Sequence, residues 1–143
     1  MRARIVPAVA AAALLLPAGC SRGAEVVALE VGDCLDQSEL KGAEVTQVET
    51  KQCTEPHDAE VFAAVRHAGD DDYPGRAAIE EFAEKECAVR FEEFVGVPYA
   101  ESEIYFSTLS PTEEGWVQAD DRTSLCILLS ETPVSESLRG AAR

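Results

Sequence analysis

Apolar positions recur along the chain with two different spacings, and one stretch has the spacing of a helix. Between residues 76 and 95, apolar side chains return every three or four positions, which places them on one face. Pro74 stands just before this stretch and Gly96 just after it, as expected for the two ends of a helix. The apolar face contains Ile79, Phe82, Ala83, Cys87, Phe91 and Phe94. We therefore predict an amphipathic helix over residues 76–95.

Short segments rich in apolar and β-branched residues flank this helix and predict strands. Three precede it, "LEVGDCLD", "EVTQVETKQC" and "AEVFAAVRH", and two follow it, "SEIYFSTL" and "TSLCILLSE". In the first segment, Leu29 and Val31 are predicted to point inward. The segment "SPTEEG" is predicted to be a turn. This order of elements predicts an α+β fold, a small antiparallel sheet with one long helix packed on a face.

The N-terminus has the pattern of an export signal. Two arginines precede an uncharged apolar run over residues 5–16, and small residues then lead to Cys20. The run is too short for a permanent membrane span, which needs about 20 apolar residues. The ending resembles a lipobox, in which a cysteine receives a diacylglyceryl group, although Pro17 stands where an aliphatic residue is usual. We predict a lipoprotein signal peptide over residues 1–19 and lipidation of Cys20; the alternative is ordinary secretory cleavage, which would leave Cys20 unpaired.

The charge balance excludes some partners. Removal of the signal leaves 10 basic residues against 27 acidic ones, a net charge of −17. This charge argues against binding to nucleic acid and against direct adsorption to anionic lipid headgroups. Solubility explains an acidic surface of this kind, and a cationic partner is the alternative. The expected membrane contact is therefore the lipid on Cys20.

Four cysteines remain once Cys20 is assigned to the anchor. An even number in an exported chain indicates two disulfides, and the count alone allows three pairings. A zinc site is disfavoured because no two cysteines lie within four residues of each other. Cys87 lies on the apolar face of the helix and Cys126 in the most apolar strand, so this pair would join helix to sheet. Cys34 and Cys53 would then join the first two strands.

The segment "CTEPHDAEVF", residues 53–62, raises the question of a metal or catalytic site. A metal site would need a second histidine close by, but His67 lies about 33 Å from His57 if the strand between them is continuous. No GxSxG motif or activated cysteine accompanies His57 as a general base. We predict a structural turn in which Pro56 fixes the backbone and His57 and Asp58 hydrogen-bond locally. No catalytic residue, metal or cofactor is predicted.

Two other clusters receive structural interpretations. Three consecutive acids at positions 70–72 lack the spacing of an EF-hand, which predicts a solvated loop. Trp116 is predicted to pack in the core or at its rim, with sugar stacking as the alternative. Arg122, between acids and a strand, is predicted to be an internal ion-pair partner.

Several motifs occur in order between residues 31 and 140. They are "VGDCLD", "CTEPHDAEVFA", "YPG" before the helix, "FVG", the lone tryptophan, "DDR" and a closing "SLRG". Together they resemble the septum formation domain family, exported or membrane-attached proteins of high-GC Gram-positive bacteria that are often lipoproteins. That family usually has Gly-Asp-Arg where this chain has residues 120–122, so Asp120 replaces a glycine. The resemblance implies a role at the cell envelope linked to division septa, and it carries over no catalytic residue.

The predicted organisation is a signal peptide over residues 1–19, a short spacer over 20–28, a septum-formation-like domain over 29–130 and a C-terminal tail over 131–143 with little to bury. We expect a non-enzymatic, lipid-anchored binding or scaffolding module on the extracytoplasmic face of the cell membrane. Its expected partner is an envelope or division protein. The alternative is a secreted envelope enzyme or small-ligand carrier, which a large apolar pocket with convergent polar groups would favour.

Overall fold

The computed structural model describes residues 24–25, 28–41, 45, 47–69 and 72–143. The predicted signal peptide, the lipidation site Cys20 and the first two acids of the acidic run lie outside the described residues. Within these ranges, no helix combines the length and the apolar character needed to cross a membrane.

An antiparallel sheet and one long helix make up most of the fold. The strands are β1 (Ala24–Glu25), β2 (Cys34–Leu35), β3 (Gln47–Val48), β4 (Thr50–Lys51), β5 (His57–Arg66), β6 (Tyr105–Leu109) and β7 (Thr123–Val134). The helices are α1 (Arg76–Val95) and α2 (Glu113–Ala119), with 3-10 turns at Gln37–Leu40 and Tyr99–Glu101. Five strands form one sheet in the order β4-β2-β5-β7-β6, with every neighbouring pair antiparallel, while β1 and β3 form a separate ribbon. The predicted α+β class is confirmed.

The long helix α1 begins and ends where the sequence predicts. It ends at Gly96, whose φ of 93° lies in the left-handed region that favours glycine, and the Gly96 N–H donates to the carbonyl of Glu92 at 2.9 Å. Its buried residues are Ile79, Ala83, Cys87, Phe91, Phe94 and Val95. Cys87, Phe91, Phe94 and Val95 pack in one core cluster with Phe62 and Leu128 of the sheet, so the predicted apolar face is the one that covers the sheet.

The two central strands, β5 and β7, have buried side chains on both faces of the sheet. Phe62 and Leu128 belong to the core cluster under α1, while their neighbours Val61 and Ile127 belong to a second cluster on the opposite face. Val48 of the small ribbon packs in the second cluster. Because both faces are covered, the middle parts of β5 and β7 are nearly continuous apolar runs rather than alternating ones.

A short helix, α2, replaces the turn predicted in "SPTEEG", and that prediction is wrong. Thr112 caps the helix, because its side-chain oxygen accepts the N–H of Gly115 at 3.0 Å. Glu113 and Glu114 occupy the first turn, where negative charge is favourable. Seven residues with one buried member, Trp116, are too few to give a periodic apolar pattern.

The segment after residue 130 is part of the fold, so the expectation that it has little to bury is wrong. Strand β7 continues to Val134, which pairs with His57. Leu138 is 1% exposed and belongs to the core under α1. The Gly140 N–H donates to the carbonyl of Phe94 at 2.8 Å. The few apolar residues of this segment follow no helical or strand spacing, so the local sequence did not predict this packing.

The first predicted strand is shorter than expected. Leu29 is buried, but Val31 is 48% exposed instead of pointing inward. The cause is a turn, in which the Asp33 N–H donates to the carbonyl of Glu30 at 3.1 Å. Only Cys34–Leu35 of this segment is a strand.

Candidate functional site

Cys34, Cys53 and His57 form a cluster, which we call the Cys-His cluster. Cys34 lies in β2, Cys53 lies in the turn after β4, and His57 is the first residue of β5. Because β2 lies between β4 and β5 in the sheet, a residue of β2 is brought beside both other segments. One ring nitrogen of His57 and the two sulfurs lie within 4.8 Å of one another.

The four cysteines form the two pairs that the sequence favours. Cys34 and Cys53 are bonded with a Cα–Cα distance of 5.3 Å, and Cys87 and Cys126 are bonded with a Cα–Cα distance of 5.6 Å. The second pair joins α1 to β7 inside the core. The first joins β2 to the turn after β4 rather than to a second strand. In the disulfide form the sulfurs are not thiolates, so the Cys-His cluster has no metal-binding thiolate in this state.

His57 is fully buried and has one hydrogen-bonding nitrogen without a partner. Its Nδ1 lies 2.8 Å from the carbonyl oxygen of Glu55. A carbonyl can only accept, so Nδ1 carries a proton, and in the neutral tautomer this selects, the lone pair is on Nε2. Among the described residues, Nε2 has no hydrogen-bond partner. The bond to Glu55 is local, as predicted, but His57 begins a buried strand and the turn itself covers residues 53–55.

Asp58 and Pro56 anchor neighbouring segments. The Asp58 carboxylate accepts the backbone N–H of Gln37 at 2.6 Å, so it bonds across 21 residues and not locally as predicted. The carbonyl of Pro56 accepts a hydrogen bond from Lys51 Nζ at 3.1 Å. Lys51 also forms an ion pair with Asp36 at 2.5 Å, and this hydrogen-bonded carboxylate raises the pKa of Lys51. These contacts give Asp58 and Pro56 a structural role around the Cys-His cluster.

His67 belongs to a different environment from His57. The two histidines stand at opposite ends of the continuous strand β5, one within it and one just after it, so they do not share a site. His67 Nε2 lies 2.8 Å from the hydroxyl of Ser124, and its ring stacks against Phe82 with centroids 4.6 Å apart. Burial lowers the pKa of His67, and the nearby charge of Asp121 opposes this effect. His67 is therefore a packed core histidine.

Trp116 and Arg122 form a buried pair. The Arg122 guanidinium lies 4.0 Å from the centroid of the Trp116 ring and donates to the Trp116 carbonyl at 2.6 Å. Arg122 also pairs with the exposed carboxylate of Asp120 at 3.2 Å. Trp116 is 1% exposed, so its ring has no free face on which a sugar could stack. The pair holds α2 against the start of β7.

Glu60 is a structurally important residue that the sequence analysis missed. It is 1% exposed, and its two carboxylate oxygens accept from Ser137 and Leu138. The sequence does contain one indication of this role: Glu60 is a charged residue inside the apolar segment "AEVF". A charged residue in an apolar strand needs a buried partner. The hydrogen-bond partners of Glu60 are 77 and 78 residues away in sequence, and no local pattern predicts them.

Two grooves on the surface are open to solvent. One, of about 270 Å³, is lined by Phe94, Arg90 and Arg139 among others, with the Arg139 guanidinium 4.0 Å from the Phe94 ring centroid. The other, of about 320 Å³, runs beside β6 and is lined by Glu84, Tyr99, Phe106, Ser107 and Thr108. Neither is an enclosed apolar pocket with convergent polar groups.

Comparison with known proteins identifies a family. The family model described as "Septum formation" matches residues 31–142, which is well over half of the chain. No curated protein and no solved structure matches this chain. The matched range includes the Cys-His cluster, the two grooves, the Trp116–Arg122 pair and the C-terminal segment held by Glu60. The chain belongs to the septum formation family, which suggests a cell-division-related role in the envelope.

Proposed function

We propose that this protein is a lipid-anchored, non-enzymatic binding module that acts on the extracytoplasmic face of the cell membrane during septum formation. The family supports the division-related envelope role. The export signal and the lipobox-like ending at Cys20 support the anchor. The open, shallow grooves favour a binding module over the alternative, a secreted envelope enzyme or small-ligand carrier.

An uncharged edge strand carries the binding part of this proposal. Among the described strands, β6 pairs with β7 alone, which leaves its other edge free. The strand sequence "YFSTL" contains no charge and no proline. Natural sheets usually protect such an edge with charged residues, proline or bulges, because free N–H and C=O groups can pair with another chain. The edge therefore suits an extended segment of a partner protein that adds a strand to the sheet.

Aromatic side chains beside this edge would supply selectivity. Tyr105 and Tyr99 are both exposed, and the Tyr99 ring packs on Phe106 with centroids 4.7 Å apart. Glu84 lines the same groove. In a chain with a net charge of −15, a groove with one glutamate and aromatic walls favours a partner segment that carries basic and apolar side chains.

The edge is tested by photo-crosslinking in cells. A crosslinking residue at position 105, where Tyr105 is 51% exposed, is compared with one at position 117 on α2, where Val117 is 65% exposed. We expect a discrete crosslinked partner at position 105, absent at 117, and lost when Ser107→Lys places a charge on the edge. Val89→Lys on the exposed face of α1 is the matched control and should leave the crosslink unchanged. Equal products at both positions, or none at 105, would contradict the binding role.

The anchor is tested separately by Cys20→Ser. We expect this variant to leave the membrane fraction for the medium or to remain unprocessed, because two or three acyl chains bind far more strongly than one, at roughly 0.8 kcal/mol per buried CH₂. Ser21→Ala is the matched control and should stay membrane-bound. An intact mass that shows an unlipidated mature chain would overturn the anchor while leaving the edge proposal untouched.

A further inference from the structure

The two disulfides differ in their accessibility to a reductant. Cys87 and Cys126 are both fully buried in the core under α1. Cys34 is also fully buried, but its partner Cys53 is only half-buried and lies in a surface turn. Thiol–disulfide exchange requires in-line access of a thiolate to one sulfur. A reductant can therefore reach Cys53 while the core disulfide stays protected.

The unpartnered nitrogen of His57 is the second observation. A buried polar atom without a hydrogen bond costs about 1–3 kcal/mol, so such an atom in a native protein calls for an explanation. In the tautomer that donates from Nδ1 to the Glu55 carbonyl, His57 has a free lone pair on Nε2, the nitrogen without a hydrogen-bond partner. Metal-ligating histidines are held in this way, with one nitrogen donating to a backbone carbonyl or carboxylate and the other facing the metal.

The Cys-His cluster brings three residues of zinc-ligating types to one place. With Zn–S near 2.3 Å and Zn–N near 2.0 Å in a tetrahedron, ligand atoms stand roughly 3.5–3.8 Å apart. In the disulfide form, one ring nitrogen of His57 and the two bonded sulfurs lie within 4.8 Å of one another. After reduction the two sulfurs are no longer bonded, and rotation of the cysteine side chains can move them apart towards this ligand spacing. Three protein ligands leave the fourth position to water.

We propose that the Cys34–Cys53 disulfide is a reducible one and that its reduction opens a zinc site made of Cys34, Cys53 and His57. One thiolate of a dithiol reductant attacks Cys53 Sγ, the disulfide breaks, and Cys34 leaves as a thiolate. The second thiol of the reductant then attacks the mixed disulfide, so the reductant is oxidised and Cys53 is released. Zn²⁺ binds both thiolates and His57, and two protons leave in total. The same chain thus has a disulfide state without metal and a dithiol state with one zinc ion.

The test uses the purified protein in both redox states. The oxidised and the phosphine-reduced protein are titrated anaerobically with Co²⁺ and then with Zn²⁺. Free thiols are counted by alkylation and mass spectrometry, and folding is followed by circular dichroism. We expect two free thiols, at Cys34 and Cys53, in the reduced sample. We also expect one equivalent of Co²⁺ with a sulfur-to-cobalt charge-transfer band, displaced by one equivalent of Zn²⁺, and no binding to the oxidised protein.

Two histidine variants separate a ligand from a structural residue. His57→Ala should weaken Zn²⁺ binding by at least about tenfold in the reduced protein. His67→Ala, which removes the other buried histidine, should leave Zn²⁺ affinity unchanged because His67 bonds to Ser124 and not to the cluster. Equal zinc affinity in wild type and His57→Ala would overturn the assignment of His57.

Loss of structure on reduction is itself informative. If reduction alone unfolds the chain, the proposal expects one equivalent of Zn²⁺ to restore the native circular dichroism spectrum, since metal binding and folding are then coupled. Failure of zinc to restore it, or a folded reduced protein that binds no metal, would overturn the site. Alkylation of Cys87 and Cys126 before Cys34 and Cys53 would overturn the order of reduction.

Discussion

The carboxylate of Glu60, in the middle of β5, accepts the backbone N–H of Leu138 at 2.6 Å. Its other oxygen accepts the hydroxyl of Ser137 at the same distance. A buried carboxylate with two short donors is held by charge-assisted hydrogen bonds, which are about twice as strong as neutral ones. This contact places Leu138 in the core and makes the last residues of the chain part of the domain.

Glu60→Ala is therefore expected to destabilise the protein. The substitution leaves the Leu138 N–H buried without an acceptor and loosens the C-terminal segment, at a cost of about 2–3 kcal/mol in the free energy of unfolding. Urea unfolding measures this loss, and hydrogen exchange should show the Leu138 amide losing its protection. Glu81→Ala, at an exposed position of α1, is the control and should change stability by less than about 0.5 kcal/mol. An unprotected Leu138 amide in wild type would contradict the hydrogen bond from Leu138 to Glu60.

Protonation of His67 should make the protein less stable below neutral pH. Burial lowers the pKa of His67 in the folded state, while the nearby carboxylate of Asp121 acts in the opposite direction. The unfolded chain therefore binds a proton that the folded chain does not. Stability is full above the unfolded pKa of about 6.5 and falls as the pH decreases towards the folded value.

Thermal unfolding between pH 7.5 and 5 measures this dependence. We expect the melting temperature to fall across this window in wild type and to fall less steeply in His67→Gln, whose amide can still bond to Ser124. Because acidic residues also titrate below pH 5, the comparison is restricted to the window above it. An identical slope in the two proteins would show that His67 does not contribute.

The elements that local patterns could predict are those with a long apolar face. The helix α1 was predicted at its observed bounds because six apolar positions repeat over 20 residues and a glycine ends the stretch. The first part of strand β7 was predicted because residues 125–129 are all apolar, which reflects burial on both faces of the sheet. In such segments the local sequence and the tertiary environment favour the same structure, so the local pattern is enough to predict the element.

The parts that the sequence did not predict depend on contacts between distant residues. The helix α2 owes its stability to a cap at Thr112 and to one buried ring, Trp116, rather than to periodicity. The burial of Leu138 depends on Glu60, and the free Nε2 of His57 depends on where β5 begins. Sequence spacing gives such contacts no signature, although the disulfide pairs could be inferred once the helix was placed on the sheet.

Asp120 shows how a replacement can keep a turn. It ends α2 with φ 53° and ψ 29°, in the left-handed region where a glycine would be favourable. Aspartate tolerates this conformation better than most residues. We expect Asp120→Gly to change stability by less than about 0.5 kcal/mol, since the ion pair it loses with Arg122 involves a mostly exposed carboxylate.

Asp120→Val is the contrasting variant. A β-branched side chain at positive φ should cost about 1–3 kcal/mol in the free energy of unfolding. Chemical denaturation of the two variants beside wild type decides whether conformation or charge governs this position. A valine variant as stable as the glycine variant would show that the turn is not strained, and a destabilised glycine variant would show that the ion pair matters.

Removal of the core disulfide should cost more than removal of the accessible one. Cys87 and Cys126 are 39 residues apart and Cys34 and Cys53 are 19 apart. In the chain-entropy account, loops of these lengths correspond to about 4 and about 3 kcal/mol. The core pair also fills space under α1, so the double variant Cys87→Ala and Cys126→Ala leaves a cavity that adds to the loss. The double variant Cys34→Ala and Cys53→Ala should unfold at a higher urea concentration than the core variant.

Non-reducing peptide mapping of wild type checks the pairing on which this comparison depends. A fragment that links Cys34 to Cys87 or Cys126 would contradict both the pairing and the packing of α1 on the sheet.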